Sequence, residues 1–225
     1  LLFQITLLLP SVGSAFGAQQ TYPENATDPD AGFVSIFDGR TLANWEGDST
    51  YWRVDDGAIV GEVTPETLLR QNSFLIWRGG VTRNFELKLR YRITPRGNSG
   101  VNYRSVQVDG VPWALRGYQA DIDGPNPNRP DTRHTANNYE ERGRTFMALR
   151  GQITRAEPDG KRTILGAIGD YRELTRHIRD DASAWNELHL IVRGNVMIHQ
   201  LNGQVMSIVI DEDPEHRQVE GLLGE

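Results

Sequence analysis

Apolar residues in this chain recur at every second position more often than at every third or fourth. "NFELKLRYRIT" is the clearest case. Phe85, Leu87, Leu89, Tyr91 and Ile93 fall on one face, with Glu86, Lys88, Arg90 and Arg92 on the other. Successive strand side chains take opposite faces, so the segment predicts a strand with one buried and one wet face. "GFVSIFDG", "FLIWRGG" and "NYEERGRTFMALRGQIT" repeat the pattern in shorter form. Asp56-Gly57 lies between two alternating runs and predicts a hairpin. "WNELHLIVRGNVMIHQLNGQVMSIVI" predicts a three-strand meander turned at Gly194-Asn195 and Asn202-Gly203. With a two-residue turn at the first, His189 faces Gln200 and His199 faces Leu190, on opposite sheet faces. One helix is expected near residues 170–179, capped by Asp170 with Glu173 as capping-box partner. Its apolar stripe is Tyr171, Leu174 and Ile178. Many short antiparallel strands and one short helix predict an all-β fold, a jelly-roll β-sandwich.

Two regions break the pattern. "LLFQITLLLPSVGSAFGAQQ" is an apolar run that passes into small and then polar residues, as a secretory leader and its cleavage zone do. Residues 1–17 are therefore expected to be the remainder of a signal peptide, cut after Gly17, with 18–31 as a linker and 32–225 as the folded domain. The run is too short to span a bilayer, so no stable membrane insertion is expected after cleavage. A secreted or periplasmic location follows. Residues 124–138, "GPNPNRPDTRHTANN", hold almost nothing apolar, and such loops in compact domains are often functional. At the far end "VEGLLGE" begins an apolar run that reads as a strand cut short.

Composition narrows the chemistry. With 24 basic against 30 acidic residues the net charge is −6, and no basic cluster points to nucleic acid. The absence of cysteine removes disulfides and thiolate chemistry. The candidate site starts from "GYQADIDG". As a strand it puts Gln119, Asp121 and Asp123 on one face and Tyr118, Ala120 and Ile122 on the other. Acidic residues are depleted in strands. The stretch is either a wet binding face or a solvated edge whose acids pair with arginines. Asn102 and Arg104 of "GNSGVNYRSV" share one face, and so do Glu140, Arg142 and Arg144 of "YEERGR" if that strand is regular. An ion-pair ladder is the plainer account of the latter set. None of the five histidines has metalloenzyme spacing. His199 reads as a satisfied core residue. Most tryptophans are expected in the core, with Trp113 the best placed to stack on a ligand.

The segments "GFVSIFDGRTLANWEG", "NSGVNYRS", "GYQADID", "YEERGR", "WNELHLIVRGN" and "LNGQVM", in that order, resemble the 3-keto-disaccharide hydrolase family over roughly residues 32–225. The resemblance implies a concanavalin A-like jelly roll, export from a bacterial cell and a carbohydrate partner. The implied chemistry is cleavage of glycosides already oxidised to a ketone at C3. A base takes the C2 proton that the ketone acidifies, and the C1 oxygen leaves by β-elimination. Water then adds to the unsaturated sugar. Such a site needs a general base, an enolate stabiliser and an acid for the leaving group. A divalent cation is one way to supply the stabiliser. On this resemblance Asp121, Glu140 and Arg104 are the expected catalytic residues. Gln119, Asp123, Asn102, Arg142, Arg144 and Trp113 are the expected substrate contacts. Pairing of Arg104 with Asp121 is the structural alternative for that arginine, and a non-catalytic carbohydrate-binding module is the alternative for the whole domain. The family also carries a histidine and a glycine-proline pair after "GLLG", which this sequence does not contain.

Overall fold

The computed structural model describes residues 2–8, 30–126, 128, 134–181 and 183–225, and the strands of two β-sheets account for half of them. The larger sheet runs, in spatial order, through β13 (Arg162–Ala167), β12 (Gln152–Ala156), β16 (Gln204–Asp211), β15 (Val196–Leu201), β14 (Asn186–Arg193), β7 (Phe85–Arg92), β1 (Leu2–Leu8), β5 (Ala58–Gly61) and β4 (Trp52–Asp55), with β2 (Val34–Ser35) paired to β1. The smaller sheet runs β11 (Thr145–Ala148), β10 (Asn138–Glu141), β9 (Leu115–Asp123), β8 (Asn98–Gln107), β17 (Gly221–Gly224), β6 (Ile76–Thr82) and β3 (Trp45–Glu46). The two pack face to face as a β-sandwich. All the pairings are antiparallel except β12 with β16.

The alternation seen in the sequence builds the core. Phe85, Leu87, Leu89 and Tyr91 of β7 are buried together with Leu188, Leu190 and Val192 of β14. Val101, Tyr103, Tyr118, Ala120 and Ile122 meet them from the smaller sheet. Each such side chain contributes roughly 1.5–3 kcal/mol by leaving water. Truncating a fully buried one such as Leu87 to alanine costs about 2–5 kcal/mol. Asp56 and Gly57 both take positive φ, 46° and 74°, which gives the tight β4–β5 turn the twist its strands require. The meander register is the expected one: Arg193 faces Val196, His189 faces Gln200 and Leu190 faces His199.

The helix is shorter than its apolar stripe suggests. α1 spans Tyr171–Thr175, with Asp170 accepting from the Arg172 and Glu173 amides. Beyond it the amides of Arg176, His177 and Ile178 bond three residues back, so the segment tightens into 3₁₀-like turns.

Both apolar end segments are paired. Residues 2–8, expected as part of a leader, form β1 between β7 and β5. The expected cleavage zone and most of the linker lie outside the described residues. "GLLG" at 221–224 is an inner strand between β8 and β6. At Gly221 an added Cβ would stand 2.4 Å from the Arg104 carbonyl carbon, so only glycine lets the two strands meet there.

Candidate active site

β9 divides its side chains between the two faces of the smaller sheet. Tyr118, Ala120 and Ile122 enter the core, which leaves Gln119 and Asp121 on the outer face. The register with β10 sets Tyr139 opposite Gln119 and Glu141 opposite Gly117, so Tyr139 and Glu141 share that face. Gln119 Nε2 donates to Asp121 Oδ1 over 2.8 Å. Asp121 is only 7% exposed. Burial pushes its carboxyl up to about 8; the Gln119 bond opposes this, and Asp123 and Glu141 add to it. Burial also raises Glu141, against the hydrogen bond from Asn72 and the charge of Arg142. Asn72 Nδ2 donates to Glu141 Oε1 over 3.2 Å. Tyr139 is raised by burial and by the two acids, so its phenol keeps its proton.

A cavity of about 400 Å³ adjoins this group. Its wall includes Gln119 and Asn72, the two amides that hold Asp121 and Glu141, together with Ser73, Ser99, Glu225 and Trp52. Gly100, opposite Asp121 in the β8–β9 ladder, makes room for this wall. A Cβ there would stand 2.5 Å from Gln119 Nε2. In the cavity wall Glu225 Oε1 accepts from Ser99 Oγ over 2.6 Å.

Several expected site residues lie elsewhere. Glu140 is on the opposite face from Asp121, because Asn138 and Glu140 pair with the core-facing Ala120 and Tyr118. It bonds Arg144, which also bonds the fully buried Asp211 and Asp213. Burial works against the Arg144 charge, but its bonds to Asp211 and Glu140 outweigh that and hold the guanidinium firmly protonated. Arg144 is thus a structural hub. Arg104 neither pairs with Asp121 nor reaches its face. A bulge after Tyr103 with φ of 48° at Arg104 turns the side chain away from the Asn102 face. There its guanidinium donates to the Arg83 and Gly194 carbonyls.

Asn102 is opposite Gln119, fully buried, with its Oδ1 lacking a partner. Asp123 accepts from Asn98 Nδ2, its partner across the β8–β9 ladder, and from the His134 amide at the far side of the polar loop. Arg142 sits in the turn after β10 with φ of 54°, 3.9 Å from Glu141. Trp113 packs on the small cluster of Phe74, Ile76 and Leu115 and lies outside the cavity wall. His199 is in the core, held by Tyr103 and Asn138, and burial lowers it to about 4.

The outer face of β9 and β10 is thus acidic and lies beside a polar cavity, on a two-sheet sandwich. A family model described as the 3-keto-alpha-glucoside-1,2-lyase-like domain matches residues 32–224. The chain belongs to the 3-keto-alpha-glucoside-1,2-lyase-like family.

Over 84 residues this lyase-like domain is 31% identical to a 3-keto-disaccharide hydrolase of Bacteroides thetaiotaomicron, a stretch covering 34% of the chain and 29% of that relative. Two crystal structures of candidate glycosyl hydrolases from Parabacteroides distasonis share its fold. One has a TM-score of 0.52 at 15% identity, over 82% of this chain and 85% of the other. The second has a TM-score of 0.51 at 16% identity, over 85% of each.

Sequence patterning did not single out Glu141, Tyr139, Asn72, Ser99 or Glu225 in the lyase-like domain. A one-residue change in the β10 register would have exchanged Glu140 for Glu141. Asn72 and Glu225 carry no local signal, since one lies in the loop before β6 and the other just beyond β17, far apart in sequence. Among the described residues no three His, Cys, Asp or Glu side chains are grouped to hold a metal. Among the same residues no helix is long and apolar enough to cross a membrane.

Proposed function

We propose that this domain belongs to an exported carbohydrate-active enzyme that cleaves 3-keto-glycosides, with Asp121 as the general base. The observation that carries the reading is a buried carboxyl on the cavity-side face, raised to about 8 and steered by Gln119. A base whose pKa lies near the working pH combines a populated base form with a strong pull on the proton. The C3 ketone makes the C2 proton acidic enough for such a carboxylate.

The steps balance without a redox partner. The Asp121 carboxylate takes the C2 proton, and the C2–H electron pair forms the enolate. The Tyr139 phenol donates a hydrogen bond to the enolate oxygen. As the ketone reforms, a double bond appears between C1 and C2 and the C1–O bond breaks. Glu141, raised by burial, gives its proton to the departing oxygen. Water then adds across the double bond, placing hydroxyl on C1 and a proton on C2. The family's description as a 1,2-lyase supports the elimination half, and the hydrolase name of the Bacteroides relative supports the addition of water.

The test is to incubate the protein with a 3-keto-disaccharide and with the same disaccharide unoxidised. Cleavage of the keto sugar alone, lost in Asp121→Asn, is expected. Binding of both sugars with cleavage of neither would make the domain a carbohydrate-binding module instead.

A further inference from the structure

We propose that the cavity beside Gln119 is a subsite for one neutral sugar ring, the unoxidised half of the substrate, held by Glu225 and Ser73. The inference rests on the glycoside-cleaving reading above and adds where the second ring lies.

The lining favours a neutral polyol. Asn72, Asn98, Gln119, Ser73, Ser99 and Thr94 present amides and hydroxyls, groups that both donate and accept, as sugar hydroxyls do. The charged members are one base, Arg96, and two acids, Glu62 and Glu225. They leave no cationic excess to select a phosphate. The volume of about 400 Å³ lies within the roughly 300–1,000 Å³ range of small-molecule sites.

Two polar atoms at this site lack partners. Glu225 is 5% exposed, and its Oε1 takes the Ser99 hydroxyl while its Oε2 is buried with no hydrogen bond. Ser73 Oγ is also buried without one. Buried polar groups are normally satisfied, and an unsatisfied one is costly. A ring hydroxyl reaching this part of the wall would supply the missing partner. The carboxyl is held in place, since the Glu225 and Leu75 main chains exchange two hydrogen bonds, at 2.7 and 2.9 Å. Burial keeps it protonated up to about pH 8, so Oε1 and Oε2 can between them accept one hydroxyl and donate to another. Trp52 and Tyr51 add aromatic surface for the C–H faces of a sugar. The Trp52 ring is fixed by its Nε1 bond to the Ser73 carbonyl, 3.2 Å. From a ring in the cavity, Gln119 is the step to Asp121.

The experiment is a titration of the whole chain with methyl α-glucoside, followed by tryptophan fluorescence and by saturation-transfer NMR. Saturable binding is expected, weakened about tenfold or more in Glu225→Leu and in Ser73→Ala by loss of hydrogen bonds. Leu69→Trp, at a half-exposed position on the cavity wall, should block binding without touching the core. No saturable binding by the wild type, or wild-type binding by both Glu225→Leu and Leu69→Trp, would overturn the subsite. Binding without cleavage of a 3-keto-disaccharide keeps the subsite and removes the chemistry. Cleavage with KM unchanged in both variants keeps the chemistry and removes the subsite.

Discussion

Gln119 forms part of the cavity wall and donates its Nε2–H to Asp121 Oδ1 over 2.8 Å. One amide therefore connects the space where a ligand fits to the carboxyl whose ionisation burial has displaced. That bond lowers the Asp121 pKa while burial raises it, so removing it should move the base out of the working range. In Gln119→Leu the midpoint of kcat/KM against pH should rise by about one unit above its wild-type value near 8. Because the ionised form is the active one, the rate at neutral pH should fall accordingly. An unchanged midpoint would separate Gln119 from the base.

Gly100→Ala offers the same test from the opposite strand. The three atoms nearest the new Cβ, at 2.5–2.6 Å, all belong to the Gln119 side chain, which can shift. The thermal midpoint should change by only a few degrees, while the rate at neutral pH falls as in Gln119→Leu. Loss of the fold would show that Gly100 serves packing alone.

Stability should depend on pH through Asp121 and Glu225. Both have folded values of about 8, above an unfolded value of roughly 4. The protonated acids fit the fold better than the charged ones. Their contribution is complete below about pH 4 and is lost as pH rises through about 8. Urea midpoints should fall between about pH 6 and pH 9. Asp121→Asn should lose part of that slope and be the more stable protein at about pH 9. Parallel curves for the two proteins would contradict the raised value.

Arg144 and Arg104 should prove structural. Arg144→Met strands Glu140, Asp211 and Asp213 in the interior, and breaking a buried pair in this way costs about 3–5 kcal/mol. Acid should recover part of the loss by protonating the stranded acids, which urea melts at two pH values would show. Arg104→Met should cost about 2–4 kcal/mol through the unpaired Arg83 and Gly194 carbonyls. Its folded fraction should keep the wild-type kcat. A large fall in kcat at unchanged stability would return Arg104 to the chemistry.

The strands and the two faces of β9 were legible because alternation and burial agree there. The hairpin register at Gly194 followed from turn length alone. The site was less legible where polarity stopped marking the outer face. In β10 the core-facing positions are themselves polar, since Glu140 faces the Arg144, Asp211 and Asp213 network, so alternation offers two equivalent registers, and the structure puts Glu141 rather than Glu140 on the Asp121 face. At Arg104 a single bulge reversed the side chain, and nothing in "NYRS" announces a bulge. Asn72 and Glu225 come from segments far apart in sequence that meet only in the folded chain.

The most direct measurement follows the C2 proton itself. A 3-keto-disaccharide is incubated with enzyme in deuterated buffer, and incorporation at C2 is read by NMR alongside cleavage. The account predicts deuterium at C2 of the product with the wild type, and neither exchange nor cleavage with Asp121→Asn. Wild-type cleavage with C2 still carrying its original proton, or undiminished exchange in Asp121→Asn, would contradict it.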